Sequence, residues 1–116
     1  MTVGVVGLGL IGGSFAKAYS DNDEHKVLGY DINEDVMRSA YDGKNIDGKL
    51  TKDNIGQCDL ILVALYPKAS VEYISEMAPY IDSRTMVIDC CGIKQYVCDN
   101  CYKIAHEYGF TFVGGH

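Results

Sequence analysis

Three glycines, one aspartate and one histidine carry most of the chemistry this sequence offers. Gly7, Gly9 and Gly12 form a G-x-G-x-x-G within V-G-V-V-G-L-G-L-I-G-G-S, Val3 to Ser14. The three glycines have different physical roles. Gly7 permits a tight turn, Gly9 lets a pyrophosphate approach the backbone, and Gly12 lets a helix pack close on a strand. Free N–H groups near Leu10 and Ile11 then face the anion with the helix dipole behind them, and Leu8, inside the turn, joins them as an expected cofactor contact. Asp31 stands 19 residues beyond Gly12. An acid at that distance accepts two hydrogen bonds from an adenosine ribose and repels the 2′-phosphate of NADP. Ile32 and Asn33 follow it, with no arginine to receive that phosphate, so the expected cofactor is NAD. His116 comes after Gly114 and Gly115, which let the backbone approach a nicotinamide closely. A neutral imidazole there can take a proton from a hydroxyl as hydride leaves the same carbon.

These residues work together only if strands and helices bring them to one edge. Val3 to Val6 is an apolar run suited to a buried parallel strand, and Ile11, Phe15 and Ala18 make a helical stripe behind the glycines. This first strand and helix span about Thr2 to Ser20. Asp21 to Glu24 is a polar turn and Lys26 to Asp31 a second strand. Asn33 caps a helix carrying Val36, Met37, Ala40 and Tyr41 on one face. Gly43 to Thr51 has little apolar content, so a third strand there is short and at an edge. Asp59 to Leu65 is a continuous apolar strand. Pro67 suits the first turn of the next helix, whose stripe is Val71, Ile74, Ala78 and Ile81. Thr85 to Cys90 is a further strand. It leads to a helix with Ile93, Val97, Cys101, Ile104 and Tyr108 on one face, ended by Gly109. Phe110 to Val113 is the last strand.

Alternating strands and helices imply an α/β fold. The expected architecture is a Rossmann-type, doubly wound, mostly parallel sheet of order 3-2-1-4-5-6 with helices on both faces. In such a sheet, ligands lie outside the carboxyl ends of the strands. Four loops leave that edge: Gly7 to Gly12, Leu65 to Lys68, Cys90 to Lys94, and Gly114 to His116. Leu65, Tyr66, Pro67, Cys91 and Gly92 join the glycine turn and Asp31 as expected cofactor contacts. His116 is the only histidine on this edge; His25 sits in a turn and His106 on a solvated part of a helix. Lys94 could meet a carboxylate, although a lysine in a first helical turn is more simply a surface residue.

Cys90, Cys91, Cys98 and Cys101 invite a metal reading. Adjacent Cys90 and Cys91 point to opposite faces of a strand end, so four thiolates do not converge on a tetrahedron. Cys101 lies on the apolar stripe, and the C-x-x-C sits well inside its helix rather than at a helix start, where a redox pair belongs. The cysteines read as buried small hydrophobes, and no metal is expected.

The chain of 116 residues is 47% hydrophobic and 22% charged, the profile of one globular domain. Its net charge of −6, with ten scattered Lys and Arg, lacks the basic face that nucleic acid requires. No apolar run approaches the roughly 18–20 residues of a membrane span. The first strand starts almost at Met1, leaving no room for a signal peptide. An odd count of five cysteines fits a reducing, cytoplasmic setting.

With these residues placed, the sequence resembles the nucleotide-binding domain of the prephenate dehydrogenase family, which includes arogenate and cyclohexadienyl dehydrogenases. The stretches that carry the resemblance are G-L-G-L-I-G-G-S at Gly7 to Ser14, G-Y-D at Gly29 to Asp31, D-x-x-x-x-K at Asp89 to Lys94, and F-V-G-G-H at Phe112 to His116. The resemblance implies NAD-dependent oxidation of prephenate with loss of CO2, giving 4-hydroxyphenylpyruvate on the route to tyrosine. It implies that His116 hydrogen-bonds the ring hydroxyl and assists its deprotonation, and that Lys94 lies near substrate. Many members have a serine where this chain has Gly92, so that hydroxyl's orienting role is absent or falls to water. The resemblance also implies a C-terminal helical domain, for dimerisation and much of the substrate pocket, outside these 116 residues. The expectation is an N-terminal domain, 1–116, of a homodimeric enzyme, inactive when alone. Two other readings stay open. One is arogenate dehydrogenase or another NAD-linked hydroxyacid dehydrogenase. The other is a non-catalytic NAD-sensing module.

Overall fold

The computed structural model describes residues 1–22, 24–90 and 95–114. It contains six strands, β1 (Thr2–Val6), β2 (Lys26–Tyr30), β3 (Gly48–Lys49), β4 (Leu60–Val63), β5 (Met86–Asp89) and β6 (Thr111–Gly114). Four α-helices join them: α1 (Leu10–Ser20), α2 (Glu34–Asp42), α3 (Pro67–Met77) and α4 (Gln95–Tyr108). All strand pairs are parallel, in the order β3-β2-β1-β4-β5-β6. The expected order is therefore the observed one, including the two-residue edge strand β3.

Because side chains alternate along a strand, the sheet divides the core in two. One layer joins Val6, Leu28, Ile61, Val63, Val87 and Phe112 to residues of α3 and α4 such as Ile74 and Cys101. The other joins Val3, Val5, Val27 and Leu62 to Ala16 of α1 and to partly buried Val36, Met37 and Ala40 of α2. Burying a Val, Leu or Ile side chain of this kind stabilises the fold by about 1.5–3 kcal/mol. Among the described residues, no helix is long and apolar enough to cross a membrane.

Three helix faces differ from the expected ones. In α1, Phe15 and Ala18 are exposed, while Gly12 and Ala16 are buried. The cause is Gly12: a Cβ there would collide with the Gly7 carbonyl. Contact that close fixes the helix rotation and turns Ala16, one turn on, to the sheet. In α2, Tyr41 is exposed while Val36, Met37 and Ala40 pack inward. In α4, Tyr108 is exposed, and Ala105, one turn beyond Cys101, is buried in its place. The α3 stripe continues past the helix: Ala78 opens a single 3-10 turn (Ala78–Tyr80), and both Ala78 and Ile81 stay buried. The helix boundaries follow the expected signals. Asn33 Oδ1 accepts from the Asp35 and Val36 N–H groups, Pro67 opens α3, and Gly109 ends α4 at φ +83°.

Candidate cofactor site

The ends of β1 and β2 are bound together by consecutive amides. Gly7 N–H donates to the Tyr30 carbonyl at 2.8 Å, and Leu8 N–H donates to Asp31 Oδ2 at 2.8 Å. The other carboxylate oxygen, Oδ1, accepts from Asn33 N–H at 2.9 Å. Each carboxylate oxygen has a second lone-pair direction. Asp31 is thus held rigidly by two backbone donors and still has two acceptor positions, the number a ribose diol requires.

The three motif glycines serve different ends. Gly7 has φ +88°, and a Cβ there would collide with the Ala64 carbonyl. Gly7 and Gly12 are therefore required by the fold itself. Gly9 is not: its φ is −73°, and a Cβ added to it would meet nothing within 4 Å. It is the N-cap of α1 and has no side chain to cap the helix. The opening N–H groups of α1, Leu10 and Ile11 among them, have no acceptor inside the helix, whose first bond is Gly13 N–H to the Gly9 carbonyl at 2.7 Å. No acidic residue lies in that first turn, so the positive end of the dipole is free to meet an anion. Bare backbone, free amides and an oriented carboxylate fit a dinucleotide.

The opposite wall is the turn from β4 to α3. Leu65, Tyr66 and Pro67 lead into α3 with Tyr66 as N-cap. Ser70 holds this turn: it is fully buried, its Oγ donates to the Leu65 carbonyl at 3.1 Å, and its N–H donates to the Tyr66 carbonyl at 2.9 Å. Tyr66 is 87% exposed and Ile32, just after Asp31, is 88% exposed. These two apolar side chains flank the crevice with almost no protein against them. Neither Ser70 nor Ile32 stands out in the sequence as a site residue. The available signals are a serine one turn into an otherwise apolar helix face, and an isoleucine at a polar strand end.

Asp89 and Gly114 end β5 and β6 side by side, in register with each other, and Asp89 also pairs with Val63. Asp89 is 2% exposed. Both strands therefore end on the edge that carries the glycine turn. Cys91, Gly92, Lys94 and His116 lie outside the described residues. Cys58 and Cys101 are buried in the core. Burial pushes the Cys58 thiol up to about 11, helped by the neighbouring Asp59 charge. It pushes Cys101 up to about 12, with Asp89 and Cys98 adding to it. Both remain thiols at neutral pH, poor nucleophiles and poor ligands. Cys98 and Cys101 both lie within α4. The Cys98 Sγ lies 2.8 Å from where a Gly114 Cβ would be.

The chain matches the family described as prephenate dehydrogenase, nucleotide-binding domain, over residues 15–116. It belongs to that family. Among solved structures it is similar to prephenate dehydrogenase from A. aeolicus in complex with hydroxyphenyl propionate and NAD+. The identity is 30% over all of this chain and 41% of that one, with a TM-score of 0.74. Synechocystis arogenate dehydrogenase is 20% identical over 90% of this chain and 37% of that one, with a TM-score of 0.80. Mycobacterium tuberculosis 3-hydroxyisobutyrate dehydrogenase shares the fold at 17% identity and a TM-score of 0.82, over 96% of this chain and 38% of that one. The chain spans about two-fifths of the length of these structures. No curated protein matches it in sequence.

Proposed function

We propose that the protein carrying this domain oxidises prephenate with NAD, releasing CO2 and 4-hydroxyphenylpyruvate for tyrosine synthesis. The observation that carries the reading is the Asp31 carboxylate, pinned beside the glycine turn in a chain of the prephenate dehydrogenase family. Asp31 holds the ribose hydroxyls, and the amides at the start of α1 face the pyrophosphate. Ile32 and Tyr66 cover the adenosine end from two sides. Bound NAD supplies the hydride acceptor. His116 accepts the proton of the ring hydroxyl as that carbon is oxidised, and Lys94 meets a substrate carboxylate. Further parts of the substrate pocket, and the surface that pairs two subunits, belong to a second domain. The A. aeolicus complex with hydroxyphenyl propionate and NAD+ supports this choice of ligands.

Steady-state turnover of the whole protein tests the proposal, with prephenate and arogenate as competing substrates and NAD and NADP as competing cofactors. The expected result is turnover with prephenate and NAD, at a kcat/KM at least about tenfold above either alternative. A difference of about 1.4 kcal/mol in transition-state binding suffices for that ratio. The His116→Asn enzyme keeps a hydrogen-bonding group but no base. Its kcat should fall by about 10²–10⁴, with NAD affinity nearly unchanged. Near-normal turnover in His116→Asn would remove the histidine from the chemistry. A preference for NADP would remove Asp31 from cofactor choice.

A further inference from the structure

Asp31 is anchored through its backbone as well as through its carboxylate. In a strand, the N–H and C=O of one residue point to the same side, and the side alternates from residue to residue. Along β2, the Val27 and Gly29 carbonyls accept from the Asp47 and Leu50 N–H groups, on the side of β3. Asp31 is the next residue directed to that side. The β2–β3 ladder ends before it, at the Gly29–Lys49 pair. The Asp31 N–H donates instead to the thioether of Met37, with N and Sδ 3.2 Å apart.

The first turn of α2 brings Met37 to this place. The Met37 N–H donates to the Asn33 carbonyl at 3.1 Å. Asn33 Oδ1 caps the same turn, and Asn33 N–H holds Asp31 Oδ1. The stretch from Asp31 to Met37 is thus a closed loop of hydrogen bonds, running from the end of β2 into α2 and back. Met37 is partly buried and packs against the core layer that contains Val3, Val5 and Val27, so packing fixes where its sulfur lies. A thioether is a weak acceptor, yet a part-buried N–H paired weakly is better placed than one left unpaired. Leucine would fill nearly the same volume and accept nothing.

We infer that Met37 is a positioning residue for cofactor choice: its thioether holds the Asp31 amide, and through it the angle at which the carboxylate meets the ribose diol. This role rests on the one proposed for Asp31. The Leu8 and Asn33 donors fix the two carboxylate oxygens. The Met37 bond fixes the main chain from which that side chain springs. Without it, Asp31 keeps both donors on a backbone free to turn. NAD depends on the diol contacts and loses affinity. NADP, which the Asp31 carboxylate repels, loses none.

Calorimetric titration of the wild type and Met37→Leu with NAD and with NADP tests this, each repeated in an Asp31→Ala background. Leucine keeps the volume and the apolar contacts, so the helix face stays filled. Met37→Leu should weaken NAD about fivefold, within the range of one net hydrogen bond, and leave NADP within about twofold. In the Asp31→Ala background the same change should alter NAD affinity less than about twofold, because a residue that acts through Asp31 has nothing left to position. Unchanged NAD affinity in Met37→Leu, an equal fall for both cofactors, or an undiminished effect in the Asp31→Ala background would each overturn the role of Met37. If Asp31→Ala alone bound NAD as tightly as the wild type, the reading of Asp31 would fall, and the role of Met37 with it.

Discussion

Gly9 and Gly12 look alike in the motif and differ in what they do. Gly12 touches the Gly7 carbonyl so closely that no Cβ fits. Gly9 borders open space at the uncapped start of α1. Gly12→Ala should therefore cost about 3 kcal/mol of stability, the scale of forced overpacking, and lose NAD along with the fold. Gly9→Ala should cost no more than about 1 kcal/mol, the difference between a glycine and an alanine N-cap. It should still weaken NAD at least about tenfold, because the new methyl group takes the space the pyrophosphate needs. Urea unfolding paired with NAD titration separates the two. Equal loss of stability in both variants would show that Gly9 too serves packing rather than ligand approach. The sequence motif predicts both roles, since each follows from a missing Cβ. The Asp31 spacing is equally legible. Its two backbone donors are not, because Leu8 and Asn33 meet it only once β1 and β2 lie side by side.

At the scale of elements, short-range signals are legible in the sequence and helix faces less so. Capping asparagine, first-turn proline and terminal glycine act within a few residues, so Asn33, Pro67 and Gly109 can be placed from sequence alone. Which face a helix buries depends on what it meets. The Ile11, Phe15, Ala18 stripe has the spacing of a core face for α1, but the tight Gly12 contact outranks apolar periodicity and leaves Phe15 38% exposed. Asn33 joins the two kinds of information. Its side chain caps α2 through the Asp35 and Val36 amides, and its own N–H orients Asp31. Asn33→Ala removes the cap and keeps that N–H. It should lower stability by about 1 kcal/mol, or Tm by about 4 °C, and change NAD affinity less than about threefold, since Asp31 keeps both donors. A large loss of NAD affinity at full stability would mean that the side chain, rather than the backbone, serves the ligand.

The whole molecule should be sensitive to alkali. Its two core layers each meet one face of a fully parallel sheet, and the layer under α3 and α4 holds the buried thiols Cys58 and Cys101. An ordinary thiol ionises near 9, whereas folding raises Cys58 to about 11 and Cys101 to about 12. Burial also raises Tyr73 above the usual phenol value of 10. For each of these acids the folded state favours the neutral form. Between about pH 9 and the raised folded values, the unfolded chain therefore binds fewer protons than the folded one. Stability falls with rising pH wherever that holds. Below the unfolded value, both states keep the thiol protons and these groups contribute no pH dependence. The urea midpoint should be flat with respect to the thiols up to about pH 8 and fall from there towards the folded values near 11 and 12. Self-repulsion in a chain of net charge −6 acts in the same direction, so the wild-type curve alone does not assign the cause. A Cys58→Ala, Cys101→Ala variant resolves this. It has nearly the same charge at neutral pH, starts from a lower midpoint because two core sulfurs are lost, and should show a shallower fall across the same interval. If its curve ran parallel to that of the wild type, the buried thiols would not be what titrates.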